Sequence, residues 1–89
     1  MGYDRKYGIV TTEHGDIPAD EPVIVFRARD ITTDKLLPYY VNLVMKAGSP
    51  LRHIQLVHAT HLRFREWRRD NPDKVRTPDS ERSRAWMKE

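Results

Sequence analysis

The four residues Ala47-Gly48-Ser49-Pro50 stand between two stretches that each carry a helical hydrophobic pattern. So short a link leaves two helices only a tight pairing, antiparallel or sharply crossed. In the first stretch, "TTDKLLPYYVNLVMKAGSP" (Thr32–Pro50), residues turn by about 100° each on a helical wheel. Leu36, Tyr40, Leu43, Val44 and Ala47 then share one stripe, Leu37, Tyr39 and Val41 widen it, and Lys35, Asn42 and Lys46 lie opposite. An apolar arc that wide predicts heavy burial. Thr33 suits an N-cap and Gly48 suits the terminating position. Pro38 falls past the first turn, where its missing N–H costs a backbone bond. Either the regular helix starts after Thr33 or its first turn is distorted.

Ser49 as N-cap and Pro50 as first helical residue open the second helix, and Asn71-Pro72 stops it. The pattern therefore predicts helices over about 34–47 and 50–70. On the second, Leu56, Val57, Thr60, Phe64 and Trp67 cluster on one side with His53 among them. His61 and Ile54 flank that stripe, and His58 points away, among Arg65 and Arg69.

The residues before the helices read as β-structure. "KYGIVTTEHG" predicts a strand over about 7–12, and "EPVIVFRARD" a stronger one over about 22–28. The Gly-, Pro- and acid-rich stretch His14–Pro22 joins them as a loop. Two strands alone are barely stable in water. Val23 and Val25 make the second apolar on both faces, so it needs cover, and a second copy of the chain could extend its open edge. After Pro72, residues 73–89 hold few apolar side chains. Thr77-Pro78 could start a short helix that docks Ala85, Trp86 and Met87, or the segment is a loose tail. The expected architecture is one α+β domain over residues 1–72: an N-terminal two-stranded hairpin packed on an antiparallel helical hairpin, followed by the C-terminal segment.

With 89 residues, folding hides only roughly 60–65% of the surface the unfolded chain exposes. Dimerisation is a natural supplement for so small a core. Charged residues make up 33% and hydrophobic residues 38% of the chain, a polar but not a disordered composition. The lack of cysteine excludes disulfides, cysteine-based zinc sites and thiol nucleophiles. No apolar run approaches the roughly 20 residues that span a bilayer, and "MGYDRKYG" carries no apolar signal region. Both features point to an intracellular protein without a membrane partner. Residues 1–50 hold six basic and seven acidic side chains, whereas residues 51–89 hold ten and six. That asymmetry permits, without requiring, a nucleic-acid or acidic-protein partner.

"RHIQLVHATHLRFREWRRDNP" (Arg52–Pro72) concentrates the candidate chemistry. Its three histidines do not converge as zinc ligands must, there is no His-Glu-x-x-His spacing, and no metal or other cofactor is expected. His53 reads as a core or interface histidine and His58 as a solvated one. "LRFREWRR" is superficially like a nucleic-acid surface, but Phe64 and Trp67 sit on the apolar side and no groove-reading motif accompanies them. Glu13, Asp16, Asp20 and Glu21 lack the pattern of a calcium loop. His14 between acids reads as surface chemistry, and neither a phosphate loop nor a nucleophile elbow is present, so no catalytic residue is assigned. What remains is an aromatic, methionine and arginine content typical of interface cores. The residues expected to meet a partner are Arg52, Arg63, Arg65, Arg69, Tyr39, Trp86 and Met87. The rival is a nucleic-acid-binding module using Arg52, Arg63, Arg65, Arg68 and Arg69.

"KYGIVTTEHGDIPADEPVIVFRARD", then "LLPYY…AGSP…H" and "W…NPDKVRTPDS", from Lys6 to about Ser80, resembles a group of short proteins encoded by tailed phages of actinobacteria, mycobacteriophages especially. The resemblance implies a phage origin and a location in the cytoplasm of the infected bacterium. It carries over no catalytic or binding residue. It implies a small accessory protein that binds a host or phage protein or itself, as a homodimer.

Overall fold

The computed structural model describes residues 1–78, which form an α+β arrangement of one strand pair and one helix pair. The chain begins with a turn organised by a single carboxylate. Asp4 Oδ1 accepts the N–H groups of Lys6 (2.7 Å) and Tyr7 (2.8 Å), and Gly8 follows at φ 85°. That local capture folds β1 (Gly2–Asp4) back on β2 (Gly8–Val10), antiparallel, with Tyr3 opposite Ile9. The other Asp4 oxygen accepts the N–H of Val25 at 2.8 Å, so this carboxylate also holds a segment distant in sequence. The N–H groups, that of Tyr7 foremost, hold the Asp4 carboxyl below its ordinary value.

The strand expected over 7–12 is therefore shorter, and its partner is residues 2–4 rather than 22–28. Pairing with 22–28 would have had to close the long loop through Pro18, whereas the Asp4 turn closes within four residues. Residues 21–25 run instead along the opposite edge of β1. Tyr3 donates to the Glu21 carbonyl (3.2 Å), and Val23 donates back to that of Tyr3 (3.0 Å). A parallel bridge, Tyr3 to Pro22, is the only ladder element in this stretch. The close approach requires a glycine at position 2, because a Cβ there would lie 2.6 Å from Val23 Cγ1 and 3.0 Å from Ile17 Cγ2.

The first helix, α1 (Thr33–Lys46), starts from a turn at Asp30. The Asp30 carboxylate accepts from the N–H and hydroxyl of Thr32, and its carbonyl accepts the Thr33 hydroxyl at 2.7 Å. Thr33 is the first helical residue rather than the cap, and it is fully buried. The N–H groups of Thr33, Asp34 and Lys35 donate to carbonyls three residues back, so the first turn is tightened. Pro38 lies inside the helix and deprives the Asp34 carbonyl of its usual donor.

At the other end Gly48 adopts φ 79° and donates to the Met45 carbonyl while Ser49 donates to that of Val44, a Schellman stop. Pro50, extended at ψ 145°, occupies the cap position expected for Ser49, and α2 runs over Leu51–Asp70. Asn71 ends it, donating through both backbone and side chain to the Trp67 carbonyl.

The helices are antiparallel: Tyr40 meets His53 near the link, and Arg68 meets Asp34 at the far end. Their buried and half-buried positions are Thr33, Leu36, Leu37, Val41 and Val44 on α1, and Ile54, Val57, His61, Phe64, Trp67 and Arg68 on α2. Ile54, Val57, His61, Phe64 and Arg68 follow three-four spacing, the seam of a left-handed helix pair, with Leu36 and Trp67 at its edge. This seam is rotated from the expected stripe: Leu56 and His53 lie outside it, and His61 and Arg68 lie within. A 3₁₀ turn (Pro72–Lys74) then leads Arg76 back beside the start of α1. Arg76 donates to the Arg29 carbonyl (3.0 Å) and accepts from Ile31 (3.1 Å). No strand Cα comes within 8 Å of a helix Cα, so the two units are joined through residues 21–32 rather than packed face to face.

Candidate interaction surface

Two ionisable side chains, His61 and Arg68, interrupt the helical seam, and both lie against Asp34. Arg68 is 8% exposed, donating through Nη1 to the Ala28 carbonyl and the Thr33 hydroxyl (3.1 Å each) and through Nη2 to Asp34 Oδ1 (2.8 Å). His61 Nε2 lies 4.0 Å from the same oxygen, and its Nδ1 is buried without a hydrogen-bond partner. Burial pushes the His61 imidazole below its ordinary value, opposed by Asp34 and reinforced by Arg65, Arg68 and His58.

To one side of this seam lies a mainly apolar face, bordered on α2 by Arg52 and Arg63. On the wheel, Leu36, Tyr40, Leu43 and Ala47 of α1 and His53, Leu56, Thr60 and Trp67 of α2 fall on the same flank of the antiparallel pair. Leu43 and Leu56 are 46% and 58% exposed. The Tyr40 hydroxyl lies 3.3 Å from His53 Nε2, with the rings edge to face, which ties the two helices across this flank. The opposite flank carries Asp34, His58, Arg65 and Arg69 with exposed Leu51 and Leu62.

The expected partner residues are dispersed. Arg63 pairs with Glu66 (3.5 Å), Arg65 with Asp34 (3.8 Å) and Arg69 with Asp70 (3.7 Å), while Arg52 has no carboxylate within 4.0 Å among the described residues. Tyr39 is exposed beside the mainly apolar flank. Trp86 and Met87, and any helix opened by Thr77-Pro78, lie outside the described residues. Arg68, placed in the rival basic surface, is instead consumed by the seam. The histidines differ from the core reading as well: His53 is exposed and hydrogen-bonded to Tyr40, and His61 is the buried one. His58 is exposed. Among the described residues no three His, Asp or Glu side chains gather closely enough to hold a metal ion.

Sequence reading missed the exposed leucines, because a wheel shows that an arc is apolar but not which half of it a neighbour covers. It also missed a groove of about 940 Å³ between the Asp4 turn and residues 22–32. Tyr3, Tyr7, Ile24 and Phe26 line it together with Arg5, Arg27 and Arg29.

No helix among the described residues is long and apolar enough to cross a membrane. No family model, curated protein or solved structure matches the chain.

Proposed function

We propose that the protein acts by association with other protein chains, carries out no chemistry of its own, and pairs with a second copy of itself through the mainly apolar flank of its helices. One observation carries this reading: among the described residues Val44 is the only buried hydrophobic side chain, while fifteen large ones are exposed. A fully buried aliphatic side chain contributes roughly 1.5–3 kcal/mol, whereas ordering a residue costs about 1.5 kcal/mol. An isolated chain built this way has little margin, and covering Leu43, Leu56 and Tyr40 adds the missing burial. The flank suits a like partner because Leu36, Tyr40, Leu43, Leu56 and Thr60 at its centre hold no charge to repel their own copies.

The resemblance to short proteins of actinobacterial tailed phages supports an accessory role in the cytoplasm of an infected host, with a host or phage protein as further partner. Sedimentation equilibrium tests the association. The wild type is expected to be dimeric at micromolar concentration, and Leu43→Glu with Leu56→Glu is expected to be monomeric with unchanged helical circular dichroism. A wild type that stays monomeric at all concentrations overturns the pairing. Capture from an actinobacterial lysate, with and without nuclease, tests the wider reading, which fails if nuclease releases every retained protein.

A further inference from the structure

The groove beside the Asp4 turn is independent of the helical flank and differs from it in chemistry. Val23 and Val25 turn their N–H groups toward β1, where the Tyr3 carbonyl and the Asp4 carboxylate accept them. In an extended chain successive residues point their backbone groups to opposite sides. Ile24 and Phe26 therefore point theirs away from β1, and no protein group pairs with them among the described residues. Their side chains are 71% and 42% exposed. This is an open backbone edge beside exposed apolar side chains, which offers an added strand the groups it pairs with.

Charge decides what strand it suits. Arg5, Lys6, Arg27, Arg29 and Arg76 all line the groove, against only Asp4 and Asp30. Those two carboxylates already accept N–H groups of their own turns. Arg5, Arg27 and Arg29 have no carboxylate within 4.0 Å among the described residues, and Arg29 Nε is buried without a hydrogen-bond partner. Arg5, Arg27 and Arg29 thus offer cationic donors that no carboxylate of the described residues satisfies.

We propose that this groove binds an extended acidic segment of another polypeptide, which adds as a strand along Ile24–Phe26 while its carboxylates meet Arg5, Arg27 and Arg29. A single nucleic-acid strand is the less favoured occupant. It would stack bases on exposed rings, yet Tyr7 already has Lys6 Nζ 5.2 Å and the Arg27 guanidinium 5.9 Å from its centroid. The volume, at the upper end for small-molecule sites, also suits a polymer lying along the segment.

Fluorescence polarisation of the full chain tests this with three labelled probes: a short peptide of alternating Glu and Val, the same peptide N-methylated on the valines that would face the edge, and oligo-thymidine. The acidic peptide is expected to bind at low salt and to weaken as salt screens the arginines. Arg27→Glu and the turn variant Arg5→Glu should each lower its affinity at least about tenfold. N-methylation should do the same by blocking the backbone bonds. Leu43→Glu with Leu56→Glu should leave peptide binding unchanged, which separates this site from the dimer flank. Undiminished binding of the N-methylated peptide overturns strand addition. Absence of peptide binding, or equal affinity for oligo-thymidine, overturns the proposal altogether.

Discussion

The Arg68 guanidinium and the Asp34 carboxylate, 2.8 Å apart, join the last turn of α2 to the first turn of α1. The pair is asymmetric in its surroundings: the Arg68 side chain is 8% exposed and that of Asp34 46%. The cation therefore depends on its partners more than the anion does. Removing one partner of a buried ion costs far more than exchanging the pair for apolar groups.

Arg68→Ala removes the cation, its three hydrogen bonds and the packing of its stem. Urea denaturation should show a loss of about 2–4 kcal/mol. Asp34→Ala leaves the guanidinium its two neutral acceptors and should cost less, about 1–2 kcal/mol. A double variant, Arg68→Met with Asp34→Ala, should recover part of the loss. If the losses simply add, the two side chains are not coupled.

His61 gives the helix pair a sensitivity to acid. Its folded value lies below the ordinary histidine value of 6.5, so the unfolded chain binds the proton more readily. Stability is then full above about pH 6.5 and declines as pH falls from there toward the folded value. His61→Leu removes the unpartnered Nδ1 from the seam. It should raise stability near neutrality by about 1 kcal/mol and flatten the melting temperature between pH 7 and 5.5. A variant with an unchanged slope in that interval would assign the acid sensitivity elsewhere.

Pro38→Ala supplies the N–H that the Asp34 carbonyl lacks. The interior-helix penalty of proline is about 3 kcal/mol, partly offset by the stiffness it lends the unfolded chain. A net gain of about 2 kcal/mol in thermal or urea unfolding is the expected result. A loss would mean that the ring is itself packed against a neighbour.

Gly2→Val places a branched side chain where even a Cβ lies 2.6 Å from Val23 Cγ1. It should release residues 21–25 from β1 while leaving the helices in place, because no strand Cα is near a helix. Amide exchange is expected to accelerate at Tyr3, Val23 and Val25 and to stay unchanged at Val44 and Val57. Uniform acceleration would show one cooperative unit instead of two.

The helix pair was legible from residues 47–50 and 71–72, because a glycine in the left-handed region and a proline stop act locally. The rotation of its seam was not. His61 and Arg68 fill positions that a hydrophobicity pattern assigns to aliphatic residues, and only the distant Asp34 and Thr33 make them acceptable there. The strand pair was misplaced for a similar reason. The apolar run Val23–Phe26 carries the strongest strand composition, yet the Asp4 carboxylate and Gly8 build a cheaper local turn. An aspartate followed four residues later by glycine was the available signal. The groove was beyond reach, since its arginines come from positions 5, 27 and 29 and meet only through the hydrogen bonds that tie β1 to Glu21, Val23 and Val25.

The return of Arg76 to Arg29 and Ile31 gives residues 29–76 a form of independence. Both ends of this stretch lie side by side, at the separation of neighbouring strands, about 4.8 Å. A segment with adjoining ends can be spliced into an exposed turn of an unrelated host protein without stretching either. The helix pair and its seam could thus be transplanted as a portable cassette, leaving the strand pair behind and dividing the groove, whose Arg29 travels with the helices.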